Sequence, residues 1–126
     1  MSGMHGLLLF AHGARDSRWA LPFDAIVERV RAQAPGVPVE LGFLEFMTPA
    51  LADAGHRLAA AGCTHVDVVP LFLGAGGHVR RDIPLLLAEL EAAHAGVQWE
   101  LRPAIGEVDS VVDAMAAAAL GWLHRE

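Results

Sequence analysis

At 126 residues, the chain can bury one hydrophobic core and is too short for two ordinary domains, so residues 1–126 are predicted to form a single domain. Hydrophobic residues make up 54% of the sequence, and no polar tract or charge run indicates disorder. The net charge of -6 argues against a nucleic-acid partner, which would need a basic face to neutralise phosphates.

The chain begins with a short apolar run and then changes to helical periodicity. Residues 5–11 predict a buried strand that ends at the turn His12-Gly13. Ser17 is the candidate cap of a helix that runs to about residue 33, and Pro35-Gly36 ends it. Residues 37–44 predict the second strand.

The same alternation continues to the last residues. Thr48-Pro49 predicts a helix with proline at its first position, which closes at Gly62. Residues 65–73 predict the third strand, a glycine-rich turn occupies 74–77, and a helix follows over 78–95. Residues 97–102 predict the fourth strand, and 107–123 a last helix with a strongly apolar surface.

This βαβαβαβα order predicts the α/β class. The connections are short enough for right-handed crossovers onto one sheet. We therefore expect a four-stranded parallel sheet with helices on both faces, in the flavodoxin-like order 2-1-3-4.

Polar residues follow three neighbouring strands of this predicted sheet. His12 ends the first strand, Glu45 ends the second, and His78 lies in the turn after the third. Ligands of open α/β sheets bind outside the carboxyl ends of the strands, so these side chains are expected to converge. Two imidazoles and a carboxylate suit divalent cobalt, nickel, iron or zinc. Taken singly, a histidine after a strand is more often a turn residue or a hydrogen-bonded structural group, and Glu45 could be any solvated carboxylate at a strand end.

Cationic side chains cluster near the same residues. Four of the nine Lys and Arg residues lie within a few positions of His12 or His78, and these are Arg15, Arg18, Arg80 and Arg81. They are either solvated helix faces or a binding surface for an anionic ligand.

Other features carry no predicted chemistry. The turn GAGGH lacks both the Lys-Ser/Thr of a P-loop and the spacing of GxGxxG, so no nucleotide is expected. Cys63 falls in a predicted loop without a CxxC partner. No membrane span or disulfide is predicted, and a cytoplasmic location is the expectation. The five remaining histidines show no ligand spacing: His5, His56, His65, His94 and His124.

Three segments resemble the small chelatases that load cobalt or iron into sirohydrochlorin. The segment LLLFAHGARD (7–16) is similar to their opening, and PLFLGAGGHVRRDIP (70–84) is similar to their second signature. GFLEF (42–46), followed by Thr48-Pro49, matches the region of the strand-end glutamate. The likeness runs in order over nearly the whole chain. Ala14 departs from the serine that many relatives carry, so any hydroxyl role at that position is absent.

The resemblance implies a chelatase-like fold and an ATP-independent chelatase. His12 and His78 would be metal ligands or proton acceptors, and Glu45 the matching acidic group. The substrates implied are a divalent metal, with cobalt ahead of iron or nickel, and a sirohydrochlorin-type tetrapyrrole. Its carboxylates would pair with the four arginines. Short family members resemble half of larger two-domain chelatases, which implies a homodimer, although the apolar residues of the last helix would equally serve a monomer core.

Two rival functions stay open at this stage. A histidine phosphatase would need an arginine directly before the first histidine, where this chain has Ala11. A non-catalytic metal or tetrapyrrole carrier would use the same ligands as a chelatase. Within the chelatase class, iron insertion for siroheme is the alternative to cobalt insertion.

Overall fold

Four parallel strands form one sheet in a computed structural model of the chain. The structure describes residues 3–74 and 76–124, with residues 77, 78 and 124 described by their backbone only. The strands are β1 (Met4–Ala11), β2 (Val39–Phe43), β3 (Cys63–Pro70) and β4 (Gln98–Leu101). Their order is β2-β1-β3-β4, and every neighbouring pair is parallel. This confirms the predicted order 2-1-3-4.

Within the described residues, four α-helices connect and follow the strands. They are α1 (Leu21–Gln33), α2 (Leu51–Ala60), α3 (Gly77–Ala93) and α4 (Asp109–Gly121). Short 3-10 segments precede α1 and α4, and another follows α4. Among the residues that the structure describes, no helix combines the length and apolarity that crossing a membrane requires.

Two apolar clusters hold the helices against opposite faces of the sheet. On one face, Leu58 of α2 and Leu90 of α3 pack with Phe10, Val66 and other buried strand residues. On the other face, Val27 of α1 packs against Leu9 and Val39. Because side chains alternate between the faces of a strand, β1 contributes to both clusters. The expectation of helices on both faces is confirmed.

The segment before α1 is capped by a carboxylate and not by the predicted hydroxyl group of Ser17. Asp16, rather than Ser17, accepts a hydrogen bond from the backbone N–H of Arg18 at 2.9 Å. A 3-10 turn over Ser17–Ala20 follows, and the α-helix proper begins at Leu21. The hydrogen bonds that the Arg18 side chain and backbone donate lower the pKa of Asp16.

The second helix also starts later than predicted. Thr48-Pro49 is a cis peptide, and the carbonyl of Pro49 accepts a hydrogen bond from the Phe43 N–H at 2.9 Å. The backbone of Pro49 is therefore bonded to the last residue of β2 instead of belonging to the helix, and α2 begins at Leu51.

The third strand is shifted toward the amino terminus. β3 begins at Cys63, which is buried, so the prediction of a loop there was wrong. Burial raises the pKa of the Cys63 thiol. β3 ends at Pro70 rather than residue 73, because Phe72 turns into the core while Leu73 turns outward.

The last helix is apolar but does not enter the core. No residue of α4 is buried, whereas α1, α2 and α3 each bury apolar side chains. Large exposed apolar residues run along it and the segments that flank it, namely Val108, Val112, Met115, Leu120, Trp122 and Leu123. These residues do not complete the monomer core, which was one of the two explanations of their composition.

The packing of α2 generates a stability prediction. Leu58→Ala is expected to lower the free energy of unfolding by about 2–5 kcal/mol, because it leaves a cavity in the first cluster. Leu58 is 1% exposed. Leu21→Ala is the matched control, since Leu21 is also a helix leucine but is 62% exposed. Urea unfolding of both variants measures the difference, and equal losses of stability would contradict this description of the core.

Candidate functional site

The carboxyl ends of β1 and β2 stay paired beyond the last residue of each strand. The N–H of Leu44 donates to the carbonyl of Ala11 at 3.0 Å, and the N–H of Glu45 donates to the carbonyl of His12 at 3.0 Å. These two bonds hold the backbones of His12 and Glu45 side by side at the edge where α/β sheets bind ligands.

A glycine makes this close approach possible. Gly13 has a φ of +94°, and a Cβ built there would lie 1.7 Å from the carbonyl oxygen of Glu45. Any larger residue would therefore strain its own backbone and push the Glu45 backbone away. The turn His12-Gly13 is thus a steric requirement of the site.

An aromatic side chain sets the position of the His12 ring. The imidazole of His12 stacks on Phe72, with 4.2 Å between ring centroids and an interplanar angle of 25°. Phe72 is buried and contacts Phe10 edge-on at 5.4 Å. The backbone of Phe72 is held too, because its carbonyl accepts from the N–H of Gly106 at 2.9 Å. The core therefore supports the half-buried imidazole from one side.

His12 and Glu45 line an open cavity of about 360 Å³. Its other walls come from β2 and α3. Seven described residues line it: His12, Leu44, Glu45, Val79, Asp82, Leu85 and Leu86. The cavity combines one imidazole and two carboxylates with apolar walls, which is the usual character of a small-ligand site.

Asp82 was missed as a site residue by sequence reasoning. It is half-buried in α3 and supplies the second carboxylate of the cavity. Its position four residues after His78 was the available signal, because residues four apart lie on one side of a helix. Phe72 was missed as well, since a buried aromatic residue beside a glycine turn is typical of an ordinary core.

The structure describes the position of His78 by its backbone alone. It is the second residue of α3, one position before Val79 and four before Asp82, both of which line the cavity. Its side chain, which was predicted to join the site, lies outside the described residues.

The described donors of the cavity do not form a closed metal cage. Within the described part of the chain, His12, Glu45 and Asp82 do not bring three ligand atoms within 4.8 Å of one another. The described donors are therefore arranged around an open space, as in sites that retain free coordination positions.

The four predicted arginines do not line the described part of the cavity. The guanidinium carbon of Arg15 lies 4.7 Å from the centroid of the Phe46 ring. Arg18 pairs with Asp16 at 3.0 Å, and Arg80 contacts Glu107 at 3.7 Å. Arg81 is exposed on the first turns of α3. All four side chains are thus exposed, and those of Arg18 and Arg80 contact carboxylates of the chain itself.

Comparison with solved structures identifies the class of protein. A CbiX protein of Marinobacter aquaeolei VT8, assigned to cobalamin (vitamin B12) biosynthesis, has a TM-score of 0.84 and 32% identity, covering 97% of this chain and 99% of the other. SirB, the sirohydrochlorin chelatase of Bacillus subtilis subspecies spizizenii, solved in complex with cobalt, has a TM-score of 0.72 and 26% identity. That match covers 79% of this chain and 43% of SirB. The fold is that of the chelatases.

Sequence comparison identifies the family within that class. The CbiX family model matches residues 6–120. A sirohydrochlorin cobaltochelatase from Sulfurisphaera tokodaii is 31% identical over 115 residues, which cover 89% of this chain and 88% of the relative. The chain belongs to the CbiX family, which confirms the resemblance found in its sequence motifs.

The contact of Gly13 with Glu45 generates a second stability prediction. Gly13→Ala is expected to lower the free energy of unfolding by about 2–5 kcal/mol, because it adds a backbone clash to the cost of a positive φ. The matched control is Gly36→Ala, since Gly36 has a φ of +89° but nothing within 4 Å of a built Cβ. That control should cost about 1–2 kcal/mol. Equal effects in chemical denaturation would show that the clash is relieved without cost.

Proposed function

We propose that this chain inserts a divalent metal ion, with cobalt as the leading candidate, into sirohydrochlorin. One observation carries the proposal: in a CbiX-family fold, the paired ends of β1 and β2 place His12 beside Glu45 on the wall of an open cavity. The name of the Sulfurisphaera tokodaii relative and the cobalt complex of SirB support both the substrate and the metal.

Metal insertion requires three events at one place. The incoming ion must lose its solvent ligands, two pyrrole N–H groups must lose their protons, and the ion must reach one face of the macrocycle. The overall balance is one dication taken up and two protons released. The site must therefore provide both metal ligands and proton acceptors, and neutral imidazole and carboxylate groups can act as either.

His12 is the proposed first handler of the metal. Its ring is held against Phe72 and borders the cavity. His78 is the proposed second imidazole, because it stands one helical turn before Asp82 at the start of α3. Glu45 is proposed as a third ligand or a proton relay, and we add Asp82 to the same group because it lines the same cavity.

An open arrangement suits a metal that is a substrate. A closed four-ligand site would hold the ion too tightly to release it to the macrocycle. The cavity also has apolar walls from Leu44, Val79 and Leu86. Such walls favour contact with the flat ring of a tetrapyrrole, while the exposed Glu45 carboxylate keeps a path to solvent for the released protons.

The four arginines are proposed to bind the acetate and propionate groups of the substrate. They are exposed and close in sequence to His12 or His78, and the rim of the macrocycle would extend beyond a cavity of about 360 Å³. The pairs Arg18–Asp16 and Arg80–Glu107 are solvent-exposed, and exposed ion pairs exchange partners readily. Substrate carboxylates can therefore replace them, with two parallel donors from each guanidinium group. No nucleotide takes part in the proposed reaction.

A homodimer is part of the proposal. The chain corresponds to 43% of SirB, so a second copy would supply the missing half of such an assembly. The bare apolar surface of α4 supports this, because contact with another copy would remove it from water.

The role of His12 generates an activity prediction. His12→Ala should reduce the rate of cobalt insertion into sirohydrochlorin by roughly 100- to 10,000-fold, the usual effect of losing a positioned acid–base group. The absorbance change of anaerobic sirohydrochlorin with cobalt(II) measures the rate, and iron and nickel can be compared in the same assay. His56→Ala is the matched control, since His56 lies on α2 away from the cavity. An unchanged rate in His12→Ala would contradict the proposal.

The arginine proposal generates a separate binding prediction. The double variant Arg80→Ala/Arg81→Ala should weaken sirohydrochlorin binding by at least tenfold and leave cobalt binding nearly unchanged, because it removes only contacts to the substrate carboxylates. Fluorescence or absorbance titration measures both affinities. Arg29→Ala, on the exposed side of α1, is the control for the loss of a surface charge. Equal losses of tetrapyrrole and metal affinity would overturn this assignment.

A further inference from the structure

A second cluster of metal-ligating side chains lies far from the proposed cavity. His5 of β1 and His65 of β3 are direct partners in the parallel ladder, and Asp67 follows two residues later on the same face of β3. Their ligand atoms all lie within 4.8 Å of one another. These histidines show no ligand spacing along the sequence, and the pairing of the two strands brings them together.

Both imidazoles direct the same ring nitrogen at one carboxylate. The Nε2 atom of His5 lies 2.6 Å from Oδ2 of Asp67, and the Nε2 atom of His65 lies 3.6 Å from Oδ1. The two rings contact each other, with 4.4 Å between their centroids. Three potential ligand atoms therefore converge from two strands onto one position.

One of these atoms has an unsatisfied hydrogen-bonding capacity. The Nε2 atom of His65 is inaccessible to solvent and has no hydrogen-bond partner among the described residues. Buried polar atoms are rarely left unpaired, so an orphaned ring nitrogen indicates a missing partner. A metal ion bound to its lone pair would supply that partner.

The surrounding charges favour a cation. Asp67 and Glu100 contribute two negative charges, and Arg102 contributes one positive charge, which leaves the cluster with -1 when both imidazoles are neutral. Arg102 donates to Oδ1 of Asp67 at 2.8 Å, so Oδ2 stays on the side of His5.

We infer that His5, His65 and Asp67 form a binding site for a divalent cation of the kind that favours imidazole, such as zinc, cobalt or nickel. The ligands are the Nε2 atoms of both histidines and Oδ2 of Asp67. Arg102 is a positioning residue that orients the carboxylate from its other oxygen. Glu100, whose Oε1 lies 4.0 Å from Nε2 of His65, or a water molecule would complete a four-ligand shell.

The distances are compatible with this assignment after a small movement. Two ligands of a tetrahedral ion at about 2.0 to 2.2 Å stand roughly 3.3 to 3.6 Å apart. The Nε2 atom of His65 stands 3.6 Å from Oδ1, the carboxylate oxygen that Arg102 holds, and one ligand atom from each of the three residues lies within 4.8 Å of the others. The contact of His5 with Asp67 must widen by about 0.7 Å or more, and the His5 side chain, which is 60% exposed, is free to rotate outward.

This site is separate from the cavity that His12 lines. His5 and His12 are seven residues apart along β1, which corresponds to about 23 Å. The inference therefore does not depend on the proposed chelatase function. An ion held there would join β1 to β3 at their amino-terminal ends and would stabilise the folded chain by binding it in preference to the unfolded one.

Cobalt(II) titration of the full chain tests the site. The parent is the double variant His12→Ala/His78→Ala, which lacks the histidines of the proposed chelatase site. The visible d–d absorption should report one bound equivalent in this parent. That signal should disappear when His65→Ala is added and should weaken at least tenfold in affinity with Asp67→Asn. No bound equivalent in the parent would overturn the inference.

A matched histidine variant distinguishes this cluster from the other histidine pair. Nδ1 of His56 lies 2.6 Å from Nε2 of His94 on the far helices, so His56→Ala in the same parent removes an exposed imidazole elsewhere. Its cobalt signal should equal that of the parent, and loss of the signal there would overturn the assignment to His5, His65 and Asp67.

Thermal unfolding supplies a second measurement that does not depend on the cobalt signal. Zinc should raise the Tm of the parent by several degrees and leave the Tm of its His5→Ala derivative unchanged. Since the His5 side chain is largely exposed, this derivative is expected to fold. An equal zinc-induced rise in both proteins would overturn the inference.

Discussion

The site depends on the pairing of β1 and β2 continuing past the last residue of each strand. Two backbone hydrogen bonds, from Leu44 to Ala11 and from Glu45 to His12, hold the backbones of His12 and Glu45 side by side, and both residues line the cavity before any ligand arrives. Gly13 permits this approach because a Cβ there would occupy the position of the Glu45 carbonyl. The stacked Phe72 then limits the freedom of the imidazole. The core and the backbone therefore preorganise the first two chemical groups of the cavity.

Much of this arrangement could be predicted from the sequence. The parts that could not be predicted depend on geometry that a local sequence pattern does not contain. Alternating apolar runs with short connections leave few right-handed topologies, so the sheet order and the meeting of His12 with Glu45 followed from pattern alone. To predict Asp82 as a site residue, one must know which side of α3 faces the cavity. That side depends on the residue at which the helix begins. The pairing of His5 with His65 depends on strand register, which no local pattern contains, because 60 positions separate them along the chain.

The cavity and the cluster of His5, His65 and Asp67 lie at opposite ends of β1 and differ in construction. The cavity at the carboxyl edge is open, and its described donors are spread apart, as suits an ion that must leave. The cluster at the amino-terminal end is compact and is braced by Arg102, as suits an ion that stays. The bare apolar surface of α4 is a third unsatisfied feature, and a second copy of the chain would account for it. We propose that one small sheet supports metal transfer, metal retention and association through separate surfaces.

The number of turnovers per chain tests the central claim most directly. Anaerobic sirohydrochlorin and cobalt(II) are mixed with a small fraction of an equivalent of protein, and the cobalt product is counted against the spontaneous reaction. A chelatase that releases both metal and product gives many equivalents of cobalt-sirohydrochlorin per chain, and this is the predicted result. A product yield that stops at one equivalent per chain, or a rate no faster than the spontaneous reaction, would identify a carrier and contradict the claim.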